Sequence, residues 1–207
     1  MTSESLTYQI KVTLNGIRPS VWRRLLVPSS VSLKDLHGIL QVALGWTNSH
    51  LHQFIARGTF YGQLDPEFGT RTLNERRVLL SDVLGKEKDT MVYEYDFGDG
   101  WAHKIVLEKI LENAEDRDTA SCIAGARSCP PEDCGGVPGY AQLLQIISDA
   151  SHPEHEEMLE WLGEGFDPER FDAVKINALL AKMKRRRQTI RPTRGRAPAP
   201  RHGRSTP

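Results

Sequence analysis

TMVYEYDFGDGWAHKIVLEKIL, residues 90–111, decides the fold. Residues 90–96 and 103–111 each read as a strand, and FGDGW between them supplies a hairpin turn. Residues 8–14 carry the same signal: Tyr8, Ile10, Val12 and Leu14 point one way and Gln9, Lys11 and Thr13 the other, the period of a half-buried strand. Asn15-Gly16 then turns the chain, and residues 20–27 read as a second strand, so the N-terminus forms another hairpin, with a connection lengthened by Pro19.

Between the hairpins lies a helix. Leu33, Leu36, Ile39, Leu40, Ala43 and Leu44 recur at helical spacing, Ser32 stands at the capping position, and Gly45 marks the end. Residues 50–57 alternate again as a strand. Residues 64–77 read as polar and irregular, and residues 79–84 as one helical turn with a start at Ser81. Residues 113–138, rich in Gly, Pro and Cys, read as loop. Helices are expected over 140–147, 153–162 and 167–183, the last opened by Asp167-Pro168 as cap and first residue. These elements predict an α+β domain over residues 1–181: a mixed, curled, β-grasp-like sheet over one main helix, with the C-terminal helices packed on it.

The formal net charge of zero hides a division. Residues 182–207 contain ten Lys or Arg and no acid, which leaves 17 basic and 27 acidic residues in 1–181, a formal −10. The tail has nothing to bury and is expected to be disordered. Arg185, Arg186, Arg187, Arg191, Arg194 and Arg196 could neutralise nucleic-acid phosphates without reading sequence. The same tail could also lie loosely on the acidic body, or serve only solubility. No apolar run approaches the roughly 20 residues of a membrane span, and MTSESLTYQI lacks the features of a secretory signal. The cytoplasm is the expected compartment, with no membrane partner; a protein partner, if any, is unknown.

Four segments, YQIKVTLNGIRPSVWRRLLVP, GW…SHLHQF, YDFGDGWAHKIVLE and CIAGARSCPPEDCGGVPGY, together resemble the plasmid pRiA4b ORF-three-like family, some members of which are labelled TnpR after insertion-sequence passenger proteins. The resemblance covers residues 6–181. It implies an α+β fold and a link to plasmids and mobile elements, and stops short of a reaction. The resolvase label does not fit the residues: a serine recombinase needs a nucleophilic Ser beside a cluster of Arg, and usually a helix-turn-helix, and neither is found here.

Three constellations could carry chemistry. Cys122, Cys129 and Cys134 form C-x6-C-x4-C, which with His103 as fourth ligand would make a zinc site, His152 and His155 being reserves; plain loop thiols give the same pattern. Asp96, Asp99, Glu132 and Asp133 sit in two tight turns, where converging carboxylates bind a divalent cation or act as acid and base, and where Asp also simply accepts backbone hydrogen bonds. His50 and His52, two residues apart on a strand, share a face and could ligate a metal, as could any polar strand face show two His. Trp22, Trp46, Trp101 and Trp161 read as core anchors, with Trp101 also placed to line a cleft with His103. Arg18, Arg23 and Arg24 offer a phosphate site or the protection of an edge strand. The leading expectation is a non-catalytic binding or adaptor module with weak tail-mediated nucleic-acid affinity. The alternative is a metal- or thiol-dependent enzyme at a site formed by the FGDGW turn and the Cys loop. No catalytic residue is assigned, and zinc is the one cofactor considered.

Overall fold

The computed structural model describes residues 6–63, 72–112, 119–163 and 165–190, with side chains to residue 183. Among these residues eight strands form one open sheet: β1 (Thr7–Leu14), β2 (Trp22–Pro28), β3 (His52–Ala56), β4 (Thr59–Gly62), β5 (Thr72–Asn74), β6 (Thr90–Tyr95), β7 (Trp101–Leu111) and β8 (Ser121–Ala126). Their order is β5-β4-β3-β6-β7-β1-β2-β8. Neighbours are antiparallel except β4 and β5. The fold is α+β with a mixed sheet, as expected; the strand order does not establish the β-grasp pattern.

Alternation does what it predicted. Tyr8, Ile10, Val12 and Leu14 of β1 are buried, as are Leu25 and Val27 of β2 and Trp101, His103, Ile105 and Leu107 of β7. Against this face packs α1 (Leu33–Leu44), burying Leu33, Leu36, Ile39, Leu40, Ala43 and Leu44. Ser32 accepts the Asp35 amide at 3.0 Å and Gly45 ends the helix at φ 87°, a left-handed conformation that glycine adopts without a Cβ penalty. Each fully buried Leu or Ile stabilises the fold by roughly 1.5–3 kcal/mol. The opposite face is polar and bonded to itself: Glu108 accepts two hydrogen bonds from Arg24 and one from Gln9, and Lys11 and Arg24 each lie over the Trp22 ring.

Several boundaries differ from expectation. Residues 121–126, read as loop, form β8, because Leu25, Leu26 and Trp22–Arg24 offer an edge on which CIAGA pairs. β2 is therefore interior, and Arg23 and Arg24 guard no edge. A short helix, α2 (Leu80–Val83), follows Leu79 rather than starting at Ser81. The next helix, α3 (Gly136–Ser148), begins four residues earlier than read, on the Gly pair, and α4 (His155–Leu162) follows it. Asp167-Pro168 does not start the last helix: Asp167 closes a turn on the Glu169 amide, and Asp172 caps α5 (Ala173–Ile190) through the Lys175 amide at 2.8 Å. The α5 backbone continues past Met183 to Ile190, through Arg185, Arg186 and Arg187; Arg191, Arg194 and Arg196 lie outside the described residues. Among the described residues no helix is long and apolar enough to cross a membrane.

Candidate functional site

Three connections meet at one end of the sheet: residues 45–51 after α1, the turn 96–100 between β6 and β7, and the loop 127–135 before α3. Glycine permits the closest approach. Gly136 has φ 67°, and a Cβ there would lie 2.4 Å from the carbonyl oxygen of Asp99, so the Cys loop seats on the FGDG turn only with glycine at this position. Trp46 ties the first connection to the third through Nε1 donating to the Pro130 carbonyl at 2.9 Å.

At this junction His50, Asp96 and Asp133 present three ligand atoms that all lie within 4.8 Å of one another. His50 Nε2 is 3.3 Å from Asp133 Oδ1 and 3.6 Å from Asp96 Oδ2. It is buried and satisfies hydrogen-bond geometry with neither. Asp96 divides its oxygens: Oδ1 accepts the amides of Gly98 and Asp99 at 3.0 and 3.3 Å, the turn-serving role, and Oδ2 is left to face His50. The Asp96 side chain is 9% exposed and that of Asp133 72%, so the cluster reaches from the interior to the surface. Asp96 and Asp133 both hold left-handed backbone, at φ 55° and 61°.

Glu132 turns the other way. Its Oε1 accepts from the Tyr95 hydroxyl, and its Oε2 from the Thr47 hydroxyl and amide. The Tyr95 hydroxyl in turn accepts the Ser49 and His50 amides at 3.0 and 3.4 Å, fixing the loop that carries His50. Burial, then Glu132, raises the Tyr95 phenol well above its ordinary range, so it stays a donor.

The remaining expected site residues go elsewhere. Asp99 is near Cys134, whose thiol burial and then the Asp99 carboxylate push up to about 12. Trp101 and His103 are fully buried beneath the site and line no cleft; burial drives His103 down to about 4, and its Nδ1 meets the Tyr93 carbonyl at 3.2 Å. His52 reaches inward to Glu75 at 2.7 Å and stacks on His37 with ring centroids 3.4 Å apart. The zinc set does not assemble among the described residues: Cys122 sits in β8, Cys129 is buried against Arg23, and Cys134 and His103 are on different neighbours. An antiparallel strand and a sharp turn between the cysteines carry the thiols apart. The reserves His152 and His155 serve local backbone contacts. Trp161, expected in the core, is 48% exposed.

Sequence reading missed the polar chain behind the site. Lys34 approaches Glu75, Glu75 bonds His52, His52 stacks on His37, and His37 bonds the Tyr93 hydroxyl, which also accepts from Gln41. The alternation of Tyr93 and Tyr95 with His103 opposite was the available signal; nothing local distinguished Glu75 within its polar run. Arg23 was also misjudged. It is 4% exposed, and donates to the carbonyls of Ala43, Trp22 and Ala126 at 2.8–3.0 Å.

Comparison with known proteins places the chain in a family. The protein called Uncharacterized protein y4hQ from Sinorhizobium fredii (strain NBRC 101917 / NGR234) is 42% identical over 156 residues, 75% of this chain and 80% of that protein. The crystal structure of a protein of unknown function, MM3350 from Methanosarcina mazei Go1, superposes with a TM-score of 0.74 at 37% identity, covering 83% of this chain and 97% of that one. Residues 6–175 match the family described as Plasmid pRiA4b ORF-3-like protein, and the chain belongs to that family.

Proposed function

We propose that the core is a divalent-cation-binding module, held by His50, Asp96 and Asp133, and that the basic C-terminal segment adds weak, sequence-independent affinity for nucleic acid. The observation that carries the cation reading is the His50 Nε2 atom, buried and without a hydrogen bond between two carboxylate oxygens at 3.3 and 3.6 Å. Two ligands bound at about 2.1 Å with a tetrahedral angle stand roughly 3.4 Å apart, so these spacings suit a small ion such as zinc or manganese. One imidazole and two carboxylates, each from a separate loop braced by Tyr95 and Gly136, form a pre-arranged donor set.

Three protein ligands leave coordination positions for water or a ligand, so a metal-dependent enzyme would draw on the same residues. A thiol-dependent one is disfavoured: burial raises Cys129 to about 11 and Cys134 to about 12, leaving little thiolate at neutral pH. A plasmid setting, as the family description suggests, supports reading the basic segment as a nucleic-acid contact.

The test is titration calorimetry of chelator-free protein with zinc and with manganese. One ion per chain is expected in the wild type, with affinity falling at least tenfold in Asp96→Asn and in Asp133→Asn. Absence of binding in the wild type, or undiminished binding in either variant, would refute the cation site.

A further inference from the structure

On the other side of the Pro130–Glu132 loop lies a cavity of about 420 Å³, between the end of α1, that loop and the chain from Trp161 to Leu179. Its size falls in the range of small-molecule sites. Four aromatic side chains, Trp46, Trp161, Phe166 and Phe171, line it beside charged ones. Phe171 packs so closely on β8 that a Cβ at Gly125 would come within 2.4 Å of its ring, and the ring lies 5.1 Å from the Arg23 guanidinium. This wall is therefore built in rather than draped over the surface.

The charges around the cavity are unequally used. Glu132 is occupied by Tyr95 and Thr47, and Asp172 by the Lys175 amide. The cations are less engaged. Among the described residues Arg170 pairs only with Asp172, at 4.0 Å, and Lys175 forms no ion pair. At the base, Arg23 is buried and no described carboxylate lies within 4.0 Å of it. Three of its N–H groups go to backbone carbonyls and a fourth to the Cys129 sulfur at 3.7 Å, which leaves one Nη2 N–H without an acceptor among the described residues. Burial keeps the Cys129 thiol neutral, and the carbonyl end of α1, to which Ala43 belongs, and the face of the Phe171 ring offset the Arg23 charge only in part. A buried guanidinium in this state favours an anion.

We infer that this cavity binds a small organic anion with a flat apolar body, its charged group toward Arg23, Arg170 and Lys175 and its body between Trp46, Trp161 and Phe171. The site shares no metal ligand with the cation module and goes beyond that reading.

Three probes separate the contributions. 1-Naphthoate supplies both charge and ring, 1-naphthamide the ring alone, and inorganic phosphate the charge alone. Binding is followed by tryptophan fluorescence and by thermal shift of the full chain, with EDTA present so that the cation site plays no part. 1-Naphthoate is expected to bind saturably, at least tenfold more tightly than 1-naphthamide, with phosphate ineffective at equal concentration. Arg170→Gln with Lys175→Gln, both at exposed positions, is expected to remove most of that preference while leaving the unfolding temperature of the free protein unchanged. Trp161→Ala, also exposed, is expected to weaken 1-naphthoate and 1-naphthamide alike. Equal affinity for the two naphthalenes, no saturable binding of 1-naphthoate, or unaltered binding in the Gln double variant would overturn the assignment.

Discussion

Acid should destabilise this protein through two imidazoles before its carboxylates protonate. His103 is fully enclosed and His37 is 2% exposed; burial lowers each to about 4, His37 being lowered further by the charge of His52. In the unfolded chain both return to about 6.5. Between these values the unfolded chain binds protons that the native protein does not, so stability falls as pH falls. At pH 5 the linkage relation gives roughly 2 kcal/mol for each imidazole relative to pH 8, hence about 4 kcal/mol for the pair. In a chain of this size that corresponds to a drop of about 8–16 °C in unfolding temperature. Glu75 and Glu108 are held below their ordinary range, so their stabilisation is lost only as pH falls below about 4.5, outside this window. Thermal unfolding followed by far-ultraviolet circular dichroism at pH 8, 7, 6 and 5 measures the effect. His103→Gln and His37→Gln should each start less stable at pH 8, having lost contacts to Tyr93, and each should lose about half as much as wild type between pH 8 and 5. A wild type that is flat over this range, or variants that keep its full slope, would refute the reasoning.

Arg23→Ala should cost about 3–5 kcal/mol in urea unfolding, since it strands buried carbonyl acceptors on three elements, and Arg23→Lys should not restore the loss because one ammonium cannot replace the planar fork. Its neighbour is the contrast: Arg24→Ala should cost no more than about 1 kcal/mol, as the pair with Glu108 is partly exposed. Gly136→Ala should lower stability by about 2 kcal/mol or more, through both the left-handed backbone and the contact with the Asp99 carbonyl, and should weaken cation binding measured by calorimetry. Truncation after Ala181 should abolish binding to duplex DNA of any sequence, and in the full chain that binding should fall steeply between about 50 and 200 mM salt; retained affinity in the truncated protein, read by fluorescence anisotropy, would count against the tail.

Much of the fold is local and was legible. β1, β6, β7 and α1 each carry their own periodicity and punctuation, so residues 8–14, 33–44 and 90–111 announce strand, helix and hairpin without reference to anything distant. The same is true of the turn role of Asp96, which follows from an Asp two residues before a Gly. Strand β8 was not legible, because Gly125 and the small residues around it have weak strand preference and pair only since β2 exposes an edge to them. The start of α5 was misread because an Asp-Pro pair opens a turn as readily as a helix, and the packing of Phe171 against Gly125 decides between them.

The candidate site divides along the same line. Composition and motif nominated Asp96, Asp133 and His50 with many other residues, and could not rank them. Ligand atoms must meet within a few ångströms, and the three donors are separated by dozens of residues, so only the crossing of three loops at one sheet end selects them from the cysteines, His103 and Glu132. The residues of the buried polar chain, Glu75 and His37 among them, and the burial of Arg23 beside the exposure of Arg24, likewise depend on what lies opposite in space. The sequence by itself determined the α+β class, the principal strands and helix, and the division of charge between the body and its basic end, because periodicity and charge are properties of neighbouring residues. The tertiary structure decided which polar groups face one another, because desolvation, coordination and hydrogen bonding act between atoms that the chain brings together only when it folds.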